Sequence, residues 1–381
     1  MKKIGIVSLY YNNYNYGGLL QSYALAKTVS NMNYKVEQIC VKRLARKIKV
    51  QNVKTFFQIV KKVIKRIISK FYDFKTSKRR EKFKRFADYI PHSSKCYTWE
   101  DIAQTNELYD GFICGSDQVW NPNYFTVEES VPYTLEFVND KKVKFSYAAS
   151  VGVAELTKER GDALNQAVKK LNYISLREES AKSLFEDKIR SKIEVVLDPT
   201  FLLNASDWEK EENTVNVPAR YIFCYFLGKS CGNRKTARAI SRKMGIPIVT
   251  CPYINKGSEL ADIGFGDVKA LDVGPKEFLY LIHHAELILT DSFHACAFSL
   301  QFKRPFLVFS RDDKENKTSM NSRIYDFAAK FHLESQLMVG KKGPFSPACM
   351  EIDWTPAYQV LEKEHEKSME FLRNALSEAN G

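Results

Sequence analysis

Three short stretches of this 381-residue chain combine residue types and spacing that could do chemistry. In LILTDSFHACAFSLQF (287–302) an apolar run ends at Thr290-Asp291, Ser292 stands where a helix cap belongs, and His294 falls in the first helical turn. A histidine so placed can act as an acid or donate to a bound anion, whereas the plainer reading is a histidine that only satisfies its neighbours. In GSDQVWN (115–121), a second apolar run is followed by Ser116, Asp117, Gln118, Trp120 and Asn121. A hydroxyl, a carboxylate, two amides and an indole suit sugar hydroxyls and a stacked ring, although a loop that merely caps the next helix has the same composition. In NYNYGGLLQSYAL (13–25), Asn15, Tyr16, Gly17 and Gly18 lead into a helix N-terminus, where backbone N–H groups and the helix dipole favour an anion or a hydroxyl. A glycine turn needed only for packing is the alternative there.

The elements that must position these loops alternate regularly. Apolar runs at 4–9, 36–41, 111–114, 143–149, 173–176 and 195–197 read as strands, with helical periodicity following Gly18 and over 157–171 and 178–186. A polar, turn-rich stretch at 198–218 suggests a boundary between domains. A second alternation follows, with strands at 220–228, 246–251, 286–291 and 305–310 and helices at 232–245, 275–285 and 292–302. Such alternation predicts an α/β protein whose parallel sheets are covered on both faces. The expected architecture is two facing Rossmann-like domains, 1–212 and 213–353. A C-terminal helix, 354–381, carries Leu361, Met369, Leu372 and Leu376 on one side and returns to the first domain. In open α/β sheets ligands bind beyond the carboxyl ends of the strands, so the cleft between the two sheets is the expected site.

Composition narrows the class. With 44% hydrophobic and 27% charged residues the chain has ample material for a core, which excludes wholesale disorder. No apolar stretch reaches the length of a membrane span, and Met1-Lys2-Lys3 runs directly into Ile4, so the chain reads as neither spanning nor exported. The eight cysteines form no CxxC pair, which reads as reduced thiols in the cytoplasm and no structural metal. The net charge of +13 is concentrated in one insert. From Lys42 to Arg85 there are eighteen Lys and Arg against two acids, a local +16 that leaves the rest of the chain at −3. Phe56, Phe57, Ile59, Val60, Val63, Ile64, Ile67, Ile68 and Phe71 interleave with these cations at helical spacing. That pattern predicts peripheral contact with the inner face of the cell membrane, and no nucleic acid is expected as a partner; a solvated basic helix is the plainer alternative.

The order of these phrases resembles the polysaccharide pyruvyltransferase family. The resemblance runs from YGGLLQSYAL through ICGSDQVWN, SYAASVG (146–152), ISLREES (174–180), VLDPTFLL (196–203) and TDSFHACAFSLQF to NSRI (321–324). It implies a GT-B-like fold and transfer of a pyruvyl unit from phosphoenolpyruvate to two sugar hydroxyls, giving a cyclic ketal and phosphate. It also implies a lipid-linked oligosaccharide as acceptor, with no metal and no cofactor beyond the phosphoenolpyruvate donor. The family's donor tripeptide matches Ser292-Phe293-His294, where many relatives begin with arginine. The cation facing the donor must then come from elsewhere; Arg177, Arg304, Arg311 and Arg323 are candidates, with Arg177 and Arg323 best placed. On this reading His294 is the acid or phosphate clamp, and Asp117 or Asp291 the base. Asn15, Tyr16, Gly17, Gly18, Ser116, Asp117, Gln118 and Trp120 would meet the acceptor. A nucleotide-sugar glycosyltransferase fits the same fold and is the competing function.

Overall fold

Parallel strands buried on both faces need near-continuous apolar runs, and GFIC, IFCY and LILT supply them. A computed structural model describes residues 1–42, 77–252, 260–311, 322–338 and 350–378. The first sheet contains β1 (Lys3–Val7), β2 (Lys35–Val41), β3 (His92–Tyr97), β4 (Gly111–Cys114) and β5 (Val143–Ser146), all parallel, in the order β3-β2-β1-β4-β5. A small parallel pair, β6 (Ile174–Leu176) and β7 (Ile193–Val195), continues it. The second sheet repeats the plan with β8 (Ile222–Tyr225), β9 (Ile248–Thr250), β10 (Val268–Lys269), β11 (Leu287–Thr290) and β12 (Phe306–Val308), in the order β10-β9-β8-β11-β12. The strand order reverses direction between β1 and β4 and again between β8 and β11, which opens a crevice beyond the carboxyl ends of each pair.

Most strands are shorter than the apolar runs that announced them, because the last residues of each run leave the ladder to form loops. Strand β3 was not anticipated. Its sequence, HSSKCY, is polar and largely exposed, as an edge strand with one open side permits. The stretch at 198–218 is less of a linker than its composition suggested. Phe201 and Trp208 are buried, the Trp208 indole donates to the Thr200 carbonyl at 2.9 Å, and the Gln301 amide donates to the carbonyls of Thr200 and Leu203. Asp198 and Thr200 are buried within it, while Asn204, Ser206, Glu209 and Lys210 face solvent.

The two halves share one continuous apolar cluster. At its centre is Tyr16, first residue of the helix Tyr16–Asn31, whose ring stacks on Phe278 with centroids 4.2 Å apart and whose hydroxyl donates to the Val273 carbonyl at 2.8 Å. The helix Ser77–Tyr89, in which the basic insert ends, joins the same contact. Arg79 is fully enclosed, lies 4.9 Å from the Tyr16 ring centroid and donates to the Pro252 carbonyl at 2.7 Å, and Lys82 pairs with Glu277 at 3.1 Å. Within residues 77–85, Arg79, Lys82 and Phe83 therefore bridge the halves, while Lys78, Arg80, Lys84 and Arg85 remain exposed. The expectation of membrane contact for 42–85 otherwise falls on residues 43–76, outside the described residues.

The helix Thr355–Ser377 ties the halves a third time. Its Tyr358 hydroxyl donates to the Gln301 carbonyl at 2.7 Å in the second half; further along, Ser368 accepts from the Leu197 N–H at 2.9 Å and Phe371 packs on Phe145, Tyr147 and Tyr173 of the first. No helix among the described residues is long and apolar enough to cross a membrane.

Candidate active site

Between the two crevices lies a cleft of ≈ 760 Å³, lined by the loops that follow β1, β4, β8, β11 and β12. The loop after β1 brings residues 9–15, that after β4 Asp117 and Gln118, that after β8 Leu227, that after β11 Ser292, Phe293 and His294, and that after β12 Arg311. Arg323, from the helix Ser322–Lys330, closes the wall.

His294 reaches across the divide. Its imidazole occupies the space that Gly17 leaves empty: a Cβ on Gly17 would lie 2.0 Å from His294 Nδ1, so only glycine fits at that position of the first helical turn. On the other edge of the ring, Nε2 lies 3.6 Å from Asp198 Oδ2, too long for a hydrogen bond, and this buried nitrogen has no hydrogen-bond partner among the described residues. Asp198, in the loop after β7, accepts from the Thr200 N–H at 3.0 Å and hydroxyl at 2.8 Å through Oδ1 and from Arg177 Nη1 at 2.7 Å through Oδ2. Its complete burial opposes ionisation, but the His294 imidazole and the Arg177 guanidinium outweigh that and hold the carboxyl well below the usual carboxylate range. Asp198 was quoted in VLDPTFLL but given no role; a carboxylate directly after a strand, beside a proline turn, was the available signal. Substituting Gly17→Ala should displace the imidazole and lower turnover by about 10²-fold, the usual penalty of a 1 Å misplacement. Wild-type rates in a folded Gly17→Ala protein would show that this contact does not position His294.

Three guanidinium groups converge behind the histidine. Arg177 is sealed in, with its guanidinium carbon 4.6 Å from the Phe293 ring centroid, Nη2 3.8 Å from Asp117 Oδ1 and Nε 3.8 Å from Glu178 Oε2. Both nitrogens lack a hydrogen-bond partner among the described residues. Glu178 is itself committed, since its Oε1 accepts from the Ser150 hydroxyl and the N–H groups of Val151 and Gly152. Arg323 is 4% exposed, and its acidity shows the strain of the arrangement. Burial, then repulsion from Arg177 and Arg311, lowers its pKa from 12.5 to about 10, with Glu178 and Asp117 compensating only in part. Two cations thus crowd a third buried one, with the carboxylates of Asp117, Glu178 and Asp198 set around Arg177. Arg177, Phe293 and Arg323 also line a second cavity of ≈ 410 Å³, so Phe293 and Arg323 are a wall shared with the cleft.

The model of the polysaccharide pyruvyl transferase family matches residues 15–313, which include Asn15 and the loops after β4, β8, β11 and β12. The chain belongs to that family. Among solved structures, Anabaena Alr3699/HepE in complex with UDP-glucose is 9% identical, with 99% of this chain and 100% of that one covered and a TM-score of 0.51. The same Anabaena protein with UDP and glucose is 8% identical over the same shares, at 0.50. A putative UDP-N-acetylglucosamine 2-epimerase from Listeria monocytogenes is 11% identical, with 97% and 90% covered and a TM-score of 0.48. At such identities the likeness to the Anabaena protein shows the fold alone, the GT-B-like pairing of two Rossmann-like sheets with a returning C-terminal helix. No curated protein matches the chain significantly.

In this pyruvyl transferase the cleft gathers only part of the set expected from sequence. Asp117 lines it with its side chain 13% exposed, joined by Gln118, Ser292, Phe293, His294, Arg323 and Asn15, whose side chain also caps the helix by accepting from the Gly18 N–H at 3.1 Å. Arg311 joins Arg177 and Arg323, whereas Arg304 lies at the opposite strand ends, near Glu212. Four expected acceptor contacts are structural instead. Tyr16 is sealed between the halves, a Cβ on Gly18 would meet Asn13, the Ser116 hydroxyl donates to the Ala148 carbonyl at 2.9 Å, and the Trp120 indole donates to the Tyr133 carbonyl at 2.9 Å.

Asp291 also departs from the role of base. It is fully buried, and its two oxygens accept from the N–H groups of Leu227 at 2.6 Å and Gly228 at 2.8 Å, clamping the loop after β8 to the end of β11. Burial pushes its carboxyl up while Arg311 and the two N–H groups oppose the shift. Asp291→Ala strands two buried N–H groups and should cost about 2–5 kcal/mol in urea unfolding. Wild-type stability accompanied by lost turnover would return Asp291 to the chemistry.

Proposed function

We propose that the enzyme transfers a pyruvyl group from phosphoenolpyruvate to two hydroxyls of one sugar in a lipid-linked oligosaccharide, closing a cyclic ketal and releasing phosphate. The observation that carries this reading is the convergence of Arg177, Arg311 and Arg323 beside His294, where burial and the neighbouring guanidinium groups lower the Arg323 pKa. Phosphoenolpyruvate brings a carboxylate and a phosphate within one small molecule, and guanidinium groups match both with paired donors.

The reaction requires three things from the cleft. A proton must reach the donor's methylene carbon, turning it into a methyl group and leaving C2 electron-deficient. A first acceptor hydroxyl then adds to C2 and loses its proton; the C2–O bond to phosphate breaks, and the second hydroxyl closes the ring as it loses its own. One of the two released protons balances the one consumed at the methyl group, and the other leaves with phosphate. His294, with Asp198 facing its ring, is assigned the acid or the phosphate clamp, and Asp117 the base that takes the hydroxyl proton. The guanidinium cluster holds the departing phosphate, where charge accumulates as the bond breaks. The lysines and arginines of 42–85 are suited to anionic headgroups, at about 1 kcal/mol per cation near the surface, and would bring the acceptor to the cleft.

The test is incubation with phosphoenolpyruvate and a panel of lipid-linked glycans, measuring phosphate release and the mass of the glycan. Phosphate released only with an acceptor, together with glycan carrying the added pyruvate, is the expected result. Glycosyl transfer from a nucleotide sugar, with phosphoenolpyruvate untouched, would favour the competing function instead.

A further inference from the structure

At the opposite edge of the second sheet, beyond the amino ends of its strands, two adjacent histidines meet one carboxylate. His283 ends the helix Pro275–His283 and His284 caps it. His283 Nδ1 lies 2.7 Å from Glu212 Oε1 and His284 Nε2 3.2 Å from Glu212 Oε2, and the three candidate ligand atoms lie within 4.8 Å of one another. We propose that Glu212, His283 and His284 form a binding site for a divalent transition-metal cation of the zinc type, which fastens the connection between the two halves to this helix.

The donor set fits. Two imidazoles and one carboxylate are the protein ligands of an open tetrahedral zinc site, with the fourth position left to solvent on the half-exposed His284 side. A ligand histidine needs its other nitrogen held, and Glu209 Oε1 stands 3.8 Å from His283 Nε2, the position of a carboxylate that orients a metal-bound imidazole. Phe302 stacks on the His283 ring at 4.5 Å and 18°, fixing its plane. The end of a helix, with its unpaired carbonyls, favours a cation there. A metal bound by His283 Nδ1 and His284 Nε2 requires each ring to carry its proton on the outer nitrogen, which for His283 is Nε2, the atom facing Glu209.

The place in the fold gives the site its consequence. Glu211 pairs with Lys276 at 2.7 Å and accepts from the Tyr23 hydroxyl at 2.7 Å, and the Asn213 N–H donates to the Lys276 carbonyl. The connection is therefore already fastened to the start of this helix, and the metal fastens it to the end. The cleft lies at the carboxyl ends of the strands, so the cation is structural and takes no part in transfer.

The experiment uses metal-depleted full-length protein titrated with Zn²⁺ in a calorimeter, with thermal melting in parallel and Co²⁺ as a spectroscopic substitute. One saturable site is expected, with a melting temperature that rises with Zn²⁺ because a ligand that binds only the folded state stabilises it. His284→Ala, at a half-exposed position and remote from the cleft, should fold and turn over normally while losing at least about 10²-fold in affinity, and Glu209→Gln should lose about 10-fold or more. The Co²⁺ spectrum should lack a thiolate charge-transfer band. Absence of saturable binding, binding that survives both His283→Asn and His284→Ala, or a thiolate band assigning the metal to the cysteines would each overturn the proposal.

Discussion

Replacing His294 by alanine should lower turnover by about 10²–10⁴-fold and leave the protein folded, because a positioned acid or anion donor contributes that much to a rate. The fold should survive because the fixed charges behind the ring remain matched. Asp198 keeps its 2.7 Å bond to Arg177 and both bonds to Thr200, and His294 Nε2 has no hydrogen bond to lose. The space vacated beside Gly17 opens onto the cleft and can fill with water. The measurement is acceptor-dependent phosphate release at saturating donor, alongside a melting curve. Turnover within a few-fold of wild type in a folded protein would remove His294 from the chemistry. Rescue of His294→Ala by added imidazole would argue for proton transfer rather than for packing.

The second large effect should separate stability from activity. Arg323→Met is expected to raise the donor KM by about 10-fold and cut kcat/KM by about 10- to 150-fold, since a charge-assisted contact to a buried anion is worth about 1.5–3 kcal/mol and is lost outright. The same variant should be as stable as wild type or more so. The shift of the Arg323 pKa from 12.5 to about 10 means that the folded state disfavours this charge, by on the order of 3 kcal/mol at neutral pH. The sign follows from the direction of the shift: the penalty is complete below about pH 10 and fades as the pH rises towards 12.5. Methionine is close in volume and polarisable beside Phe293 and Phe327, which line the second cavity with Arg323. A variant that both binds phosphoenolpyruvate normally and unfolds earlier would show that Arg323 is a structural cation already satisfied by Glu178 and Asp117. Arg177 makes a poorer test, because removing it leaves the buried Asp198 carboxylate unpaired and confounds folding with function.

Much of this protein could be read along the chain. Strand runs that are apolar throughout, each followed within a few residues by polar loops, mark β1, β4 and β11, and a doubly wound plan then requires ligands at their carboxyl ends. That reasoning located Asn15, Asp117, Gln118 and Ser292 to His294 at the cleft. It also signals the returning helix, and the structure adds Phe371, packed on three aromatic rings of the first half, to its apolar side. The pair of adjacent histidines at 283 and 284 was equally visible, but a carboxylate seventy residues earlier gave no reason to join them.

Local pattern alone determined the layer architecture, the loops that carry function and the placement of His294, because each depends on periodicity and on residue types within a few positions. Tertiary structure alone decided which of the polar residues line the cleft and which are committed to the backbone. Ser116, Trp120, Tyr16 and Asp291 have the same composition as a sugar site or a base, yet each spends its polar atoms on a backbone group. Asp198 is held ionised only when Arg177 and His294, from different halves, arrive beside it, and the Arg323 pKa falls only when burial and the crowding of Arg177 and Arg311 disfavour its charge. Burial and the electrostatic field of distant charges are properties of the folded volume, and no window along the chain contains them.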